Sequence, residues 1–565
     1  MHSPTVFHAM PRATTFAAII ASSLMSVPAN AVTEGKMADP GNRQDKRNWF
    51  SASTWEGGAI PNAPGDIVHF DLPLPSARLR LDRPATVGVL DAWGPDWHVT
   101  YVEPPPESTP ETAPVLTFDN GDDPARLVWR GANAAFSLKS PIRIAKALEI
   151  ENSANGAFVC EVMASELGDS DKPVTAVKGI VRLVARDGYD YPVKFPIRTT
   201  GGAVQFGGPG TTRIAGPQSF AIAGSWGNEG WLVNGGQLMF TGGVVTNTSS
   251  QHRSLLFEGK SGKIGVEGGT MLAIPKMPNM HLHLPDCEFW VKGADSALDA
   301  KDTSVDLMAA HIRVSFTDGA NVRIREFGFV NACHDSDLVV DGGEEAVVTP
   351  IGMLYYGVNF GDDTYSNRVT LARGAAMKTQ HVVVGGMWNN VIVDGGELRA
   401  KMDIALNQKA SLEDNDNRLV VRAGSQVSAR DIHVGNENSR DSGLHLQGGA
   451  VKAGRLIVYQ GNRIQPLLPA AAEHPVEVDE AVMHRSAYIH PEIPEGETLP
   501  EGEYCVLKAK KPIKDMGMLI DWNARERTRW SYRIDKTEEG HSLILVYSAP
   551  RGRKAQSASA TRTPQ

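Results

Sequence analysis

Four segments between Asn367 and Gln460 repeat one design: NRVTLARGAAMKTQHVVVG, NNVIVDGGELRAKMDIALN, NRLVVRAGSQVSARDIHVG and SGLHLQGGAVKAGRLIVYQ. Each has an alternating apolar strand, a turn at glycine, a second short strand and a third alternating strand. With Gly374, Gly396, Gly424 and Gly449 as anchors, the steps are 22, 28 and 25 residues. A repeat of roughly 20 to 50 residues built from short strands points to a solenoid, in which each coil completes its core only by stacking on its neighbours.

Alternation places Val369 and Leu371 on one face of their strand. The equivalent pairs are Val391 and Val393, Leu419 and Val421, Leu444 and Leu446. The third strand repeats this with Val382/Val384, Ile404/Leu406, Ile432/Val434 and Leu456/Val458. Stacked, these columns predict an apolar core running along an axis, with backbone hydrogen bonds between coils. Three strands per coil and steps of 22 to 28 residues suit a right-handed parallel β-helix better than the tighter hexapeptide-repeat helices. Length variation falls in turns, where insertions are tolerated.

Outside the clean repeats the punctuation is less regular. Residues 1–31 read as an export leader: Arg12 is the one formal charge, Ala13 to Val27 is mostly apolar, and Ala29-Asn30-Ala31 is a cleavage signature. That apolar stretch is shorter than the roughly 20 residues a spanning helix needs. Residues 32–78 read as a linker and capping segment, with Trp49 and Trp55 covering the open end of the tube. The β-helix is expected over 79–462, with irregular early coils and a proline-rich surface loop at Glu103 to Pro114. Residues 463–500 (QPLLPAAAEHPVEVDE and beyond) read as a linker, 501–550 as a small β cap with strands at EYCVLK, WSYRI and SLILVY, and 551–565 as a basic tail.

Two of these stretches carry a family resemblance. WFSASTWEGGAIPNAPGDIVHF, through Trp49, Trp55, Gly58, Pro61, Gly65, Asp66, Val68 and Phe70, resembles the opening of secreted bacterial β-strand-repeat proteins. The cadence from Asn417 through Leu419, Val421 and Gly424 to Val434-Gly435-Asn436 is similar to the autotransporter-associated β-strand repeats of bacterial surface proteins. The resemblance implies a pectin-lyase-like architecture and a passenger or surface role. The translocator barrel of true autotransporters has no counterpart here, since no series of amphipathic ten-residue strands with aromatic girdles is present.

Charge narrows the partners. The whole chain carries a formal net charge of -9; losing Arg12 with the leader leaves 55 basic against 65 acidic residues. Mild acidity argues against nucleic acid, which selects a basic face. Four cysteines are too few for a disulfide scaffold. Cys287 and Cys333, about two coils apart, are the one pair placed to bridge.

Polysaccharide chemistry on such a scaffold needs carboxylates: several oxygens for Ca²⁺ beside an Arg or Lys base in a lyase, or two flanking carboxylates in a hydrolase. The groups that qualify are Asp335 and Asp337 on one strand, Asp362 and Asp363 before Arg368, and Asp414 and Asp416 in an insertion between coils. A polar turn accounts for each equally well, because Asp and Asn are favoured there. His281 and His283 with Asp286 supply too few ligands for a zinc site, and Cys333-His334-Asp335 cannot act as a nucleophile and base if the adjacent side chains point to opposite faces. Trp93, Trp97, Tyr355, Tyr356 and Trp388 are candidates for stacking on sugars. The favoured reading is a secreted, non-enzymatic solenoid that binds an extracellular polysaccharide or cell-surface component through its flank and needs no cofactor, Ca²⁺ being the one ion its carboxylates could take. The competing reading is a polysaccharide lyase or glycoside hydrolase.

Overall fold

The computed structural model describes residues 32–548, except 39–46, 72–75, 94–98, 110–111, 131–134, 154–159, 164–170, 186, 223–235, 250–260, 277, 284, 355, 408–415, 522 and 525–526. The expected leader and basic tail lie outside these residues. The described chain is a parallel β-solenoid of about 14 turns.

Its later part is built on two long sheets. A 14-stranded flank sheet runs from Asp190–Val193 to Leu519–Ile520, and a 19-stranded broad sheet runs from Gln218–Phe220 to Gly540–Tyr547. Earlier coils use a 13-stranded sheet that begins at Glu34–Lys36 and a separate 3-stranded sheet. The second and third strands of each repeat both join the broad sheet. By Gln426–Val434 and Ala450–Val458 they have fused into single nine-residue strands.

The predicted columns are present rung by rung. On the flank sheet Leu338 pairs with Val369, Val369 with Val391, Val391 with Leu419 and Leu419 with Leu444. Leu371, Val393, Val421 and Leu446 form the second column. On the broad sheet Val382, Ile404, Ile432 and Leu456 stack in the same way. All of these are buried, so each rung removes its aliphatic faces from water at about 25 cal/mol per Å².

A polar ladder runs beside the apolar ones. The asparagine that opens a repeat segment points inward: Asn367, Asn389, Asn417 and Asn462 are all fully buried. The Asn367 N–H donates to Asn389 Oδ1 and the Asn389 N–H to Asn417 Oδ1, both at 2.8 Å. Their amide nitrogens donate in turn to corner carbonyls, Asn389 Nδ2 to Gly385 at 2.8 Å and Asn417 Nδ2 to Gly386 at 2.9 Å. Backbone groups that a sharp corner would otherwise strand are thereby satisfied.

Three sequence boundaries are corrected. Ile67–Asp71 and Ser76–Arg80 already belong to stacked sheets, so coils begin before residue 79. Residues 463–500 are not a linker: Arg463–Pro466 and Tyr488–Ile489 continue the flank sheet, and Val476–Met483 continues the broad sheet. The proline- and alanine-rich stretch that suggested a break folds as a short corner helix, Ala470–Glu473, with Leu468 and Ala471 buried. Cys287 and Cys333 are both buried and not bridged. They precede strands separated by one intervening strand, Arg313–Thr317, which sets them two spacings of about 4.8 Å apart, beyond the reach of a disulfide.

At the two ends, Trp49 and Trp55 are buried and pack edge to face at 5.5 Å. Their indoles donate to the carbonyls of Pro61 at 2.9 Å and Trp49 at 2.6 Å. Asp66 accepts from the N–H groups of Thr33, Asn62 and Ala63. At the other end, Gly502–Ala509 pairs parallel with Val476–Met483 and antiparallel with Gly540–Tyr547, which pairs antiparallel with Trp530–Thr537.

Candidate functional site

The corner that leads into the flank sheet has a fixed backbone recipe. The residue immediately before each buried corner position takes a left-handed conformation: Asp335, Ser366, Trp388, Asp416, Asp441 and Gly461 all have positive φ. Asp, Ser and Gly suit such a turn, because a short polar or absent side chain tolerates the left-handed region. Two corners depart from this with ring side chains: Trp388, with φ 55° and a residue exposure of 51%, and His311, with φ 57°, before Ile312.

Trp388 closes one side of a groove of about 320 Å³, lined also by Asp335, Asp337, Ser366, Arg368 and Asn390. Two rows form it. Asp335, Ser366 and Trp388 come from the corner ladder. Asp337, Arg368 and Asn390 are the paired first residues of three neighbouring flank strands. Asp337 accepts from Arg368 Nε at 2.9 Å and Nη2 at 3.3 Å. That pairing raises the guanidinium's pKa further and keeps Arg368 a cation.

The sequence candidates are therefore partly united. Arg368 and Trp388 share the groove with Asp335 and Asp337. Asp362 and Asp363 are exposed in the preceding turn, outside the groove lining, where Asp363 accepts the Ala332 N–H at 2.9 Å. Asp416 occupies the corner one rung beyond Trp388 and accepts from Arg418 Nε at 2.9 Å and Arg463 Nη2 at 3.2 Å. Beneath that ion-paired group the His445 ring lies over Gly443, where a Cβ would meet Nε2 at 2.6 Å. Burial first, then the neighbouring cations, push the His445 imidazole down to about 3, so it is neutral. Asp414 lies outside the described residues.

Other sequence candidates separate. His281 is buried against Asp306 at 3.3 Å while His283 is exposed beyond the strand end, so the two do not share a face. Cys333 lies in a turn, and burial pushes its thiol up to about 11, far from a nucleophile's range. Trp93 and Tyr356 are exposed; Trp97 and Tyr355 lie outside the described residues.

A further cluster on the broad sheet escaped the sequence reading. Ligand atoms of Asp403, Asp431 and His433 all lie within 4.8 Å of one another. Asp403 and Asp431 face each other across adjacent strands, and His433 is two residues further along the second. Arg430 donates to both carboxylates, at 2.8 Å to Asp403 and 3.1 Å to Asp431, and Arg455 reaches Asp431 at 3.2 Å. The sequence sign was there in HVVV, DIAL and DIHV, aligned segments whose first letters stack.

No protein-family profile matches the sequence, and no curated protein or solved structure matches it.

Proposed function

We propose that this chain is an exported, non-enzymatic β-solenoid of the autotransporter-associated repeat type that binds an extracellular polysaccharide or cell-surface glycan along its flank. Trp388 carries the reading. The two corners on either side, Asp335 and Ser366, Asp416 and Asp441, use a small or acidic residue where this one places a half-exposed indole in a left-handed turn. Such a conformation costs roughly 1–2 kcal/mol for a side chain of this kind, and folding gains nothing from an indole left in water. Ligand binding gains a flat apolar face beside a groove of hydrogen-bonding groups, Arg368, Asp337, Ser366 and Asn390, an arrangement suited to a sugar ring with its apolar face and hydroxyl rim.

The Arg368–Asp337 pair favours binding over catalysis. A lyase base must be able to lose its proton, and Asp337 stabilises the charged guanidinium. A uronate carboxylate would add to this cation without requiring chemistry.

The test is equilibrium binding to a panel of uronic-acid and neutral polysaccharides, with and without Ca²⁺, for wild type and Trp388→Gly. The variant should lose at least tenfold in affinity yet melt at the same or a higher temperature, since glycine relieves the left-handed strain. Release of unsaturated or reducing ends would instead establish the enzyme reading.

A further inference from the structure

The broad sheet carries a second set of converging groups that the glycan reading does not use. We propose that Asp403, Asp431 and His433 form a binding site for a zinc-class divalent cation on the outer face of that sheet. Three ligand atoms already lie within 4.8 Å of one another. Metal–ligand bonds of about 2.1 Å in a tetrahedron bring such atoms to about 3.4 Å, so rotamer adjustments of about an ångström close the site. Rigid strands hold all three residues: Asp403 begins the strand Asp403–Leu406, and Asp431 and His433 lie on Gln426–Val434.

The surrounding contacts fit the same purpose. Each carboxylate gives one oxygen to an arginine, Oδ1 of Asp403 to Arg430 and Oδ2 of Asp431 to Arg430 and Arg455. Asp403 Oδ2 and Asp431 Oδ1 remain for an ion, and ligating carboxylates are commonly oriented by such outer contacts. Both arginines are about half exposed and can swing into water as the cation's charge arrives. His381 Nδ1 on the preceding rung lies 3.9 Å from Asp403 Oδ2, at the edge of the cluster.

The donor set selects the metal. Calcium takes six to eight oxygens; one or two imidazoles with two carboxylates suit zinc and its first-row neighbours. Nothing in this proposal depends on a glycan.

Isothermal titration of chelator-treated protein with ZnCl₂ and CaCl₂ tests it. One zinc per chain is expected, with calcium at least tenfold weaker. His433→Gln and Asp403→Asn should each weaken zinc at least tenfold with melting temperatures unchanged, while His283→Gln, an exposed histidine elsewhere, should bind as wild type. X-ray absorption of zinc-loaded wild type gives a readout independent of any variant's folding. Imidazole nitrogen with carboxylate oxygen at about 2.0–2.1 Å supports the site; an all-oxygen shell, or variants that bind like wild type, overturns it.

Discussion

The coils from Arg368 to Pro466 and the coils before them fill one tube with different materials. Among the described residues, the later core contains no buried phenylalanine, tyrosine or tryptophan; valine, leucine and isoleucine stack on their own kind. The earlier core is rich in phenylalanine, with Phe289 against Phe316 edge to face and Phe329 stacked on Phe360 at 4.5 Å. The corners differ in step. Where the later coils bury Asn367, Asn389, Asn417 and Asn462, the equivalent earlier positions hold Cys287, Ile312 and Ser336. Regular coils can share one side-chain volume and one hydrogen-bonding device, interrupted at Ser442, whose N–H still donates to Asn462 Oδ1. Irregular coils leave gaps of varying size, which large rings fill. The Asp403 cluster belongs to the regular part and the groove at Trp388 spans its first rungs and the coil before them, where the register fixes which side chains converge.

Five perturbations sharpen that contrast, the core truncation having the largest effect of the single substitutions and the surface ion pair the smallest. Phe316→Ala should destabilise by about 3–5 kcal/mol through the cavity it leaves, read as a large drop in the urea midpoint. Asn389→Ala creates little void but strands the Asn367 N–H, while the carbonyls of Gly385 and Thr364 keep Asn417 Nδ2 and the Met387 N–H as donors. At about 1–3 kcal/mol per unsatisfied buried group, a loss in that range is expected; a loss near zero would reduce the ladder to decoration. Combining Asn389→Ala with Asn417→Ala should deviate from additivity by about 0.5–3 kcal/mol, because both side-chain amides donate to the Gly385 carbonyl and only the double variant removes both. Phe316→Ala with Asn389→Ala should add, since neither touches the other's partners.

The smallest effect is electrostatic. Asp341 accepts from Arg373 at 2.8 and 3.2 Å, which holds its carboxyl below the usual aspartate range. A lowered folded-state pKa stabilises above the unfolded carboxyl's value near 3.9 and is lost as pH falls through the folded one. Asp341→Asn should therefore be slightly less stable than wild type at pH 7. The gap should shrink as urea titrations are repeated below about pH 4.

Much of this was legible along the chain. Alternation located the aliphatic columns to the residue, because a period of two leaves no choice of face once one side is buried. The asparagines were visible as the first letter of three repeats, yet composition cannot distinguish an Asn turned out into water from one turned in to satisfy a corner. Trp388 stood among five exposed-aromatic candidates; only the backbone conformation of its neighbours singles it out. Asp403, Asp431 and His433 were missed because they are 28 and 2 residues apart in sequence and meet across a register that must be read down the columns. The segment after Gln460 misled for a similar reason: its prolines mark a corner helix between strands, not an end to stacking.

Stacking itself can be measured in solution. Arg323, Gly352, Lys378, Arg399, Ser428, Lys452, Glu477 and Lys508 form one outward column on the broad sheet, each paired with the next. Pulsed dipolar spectroscopy between spin labels at Arg323 and Lys452, then at Arg323 and Lys508, counts rungs directly. At about 4.8 Å per rung, five rungs give roughly 24 Å and seven roughly 34 Å, each with a narrow distribution. Distances far from these values, or broad distributions, would contradict the solenoid on which both proposed sites depend.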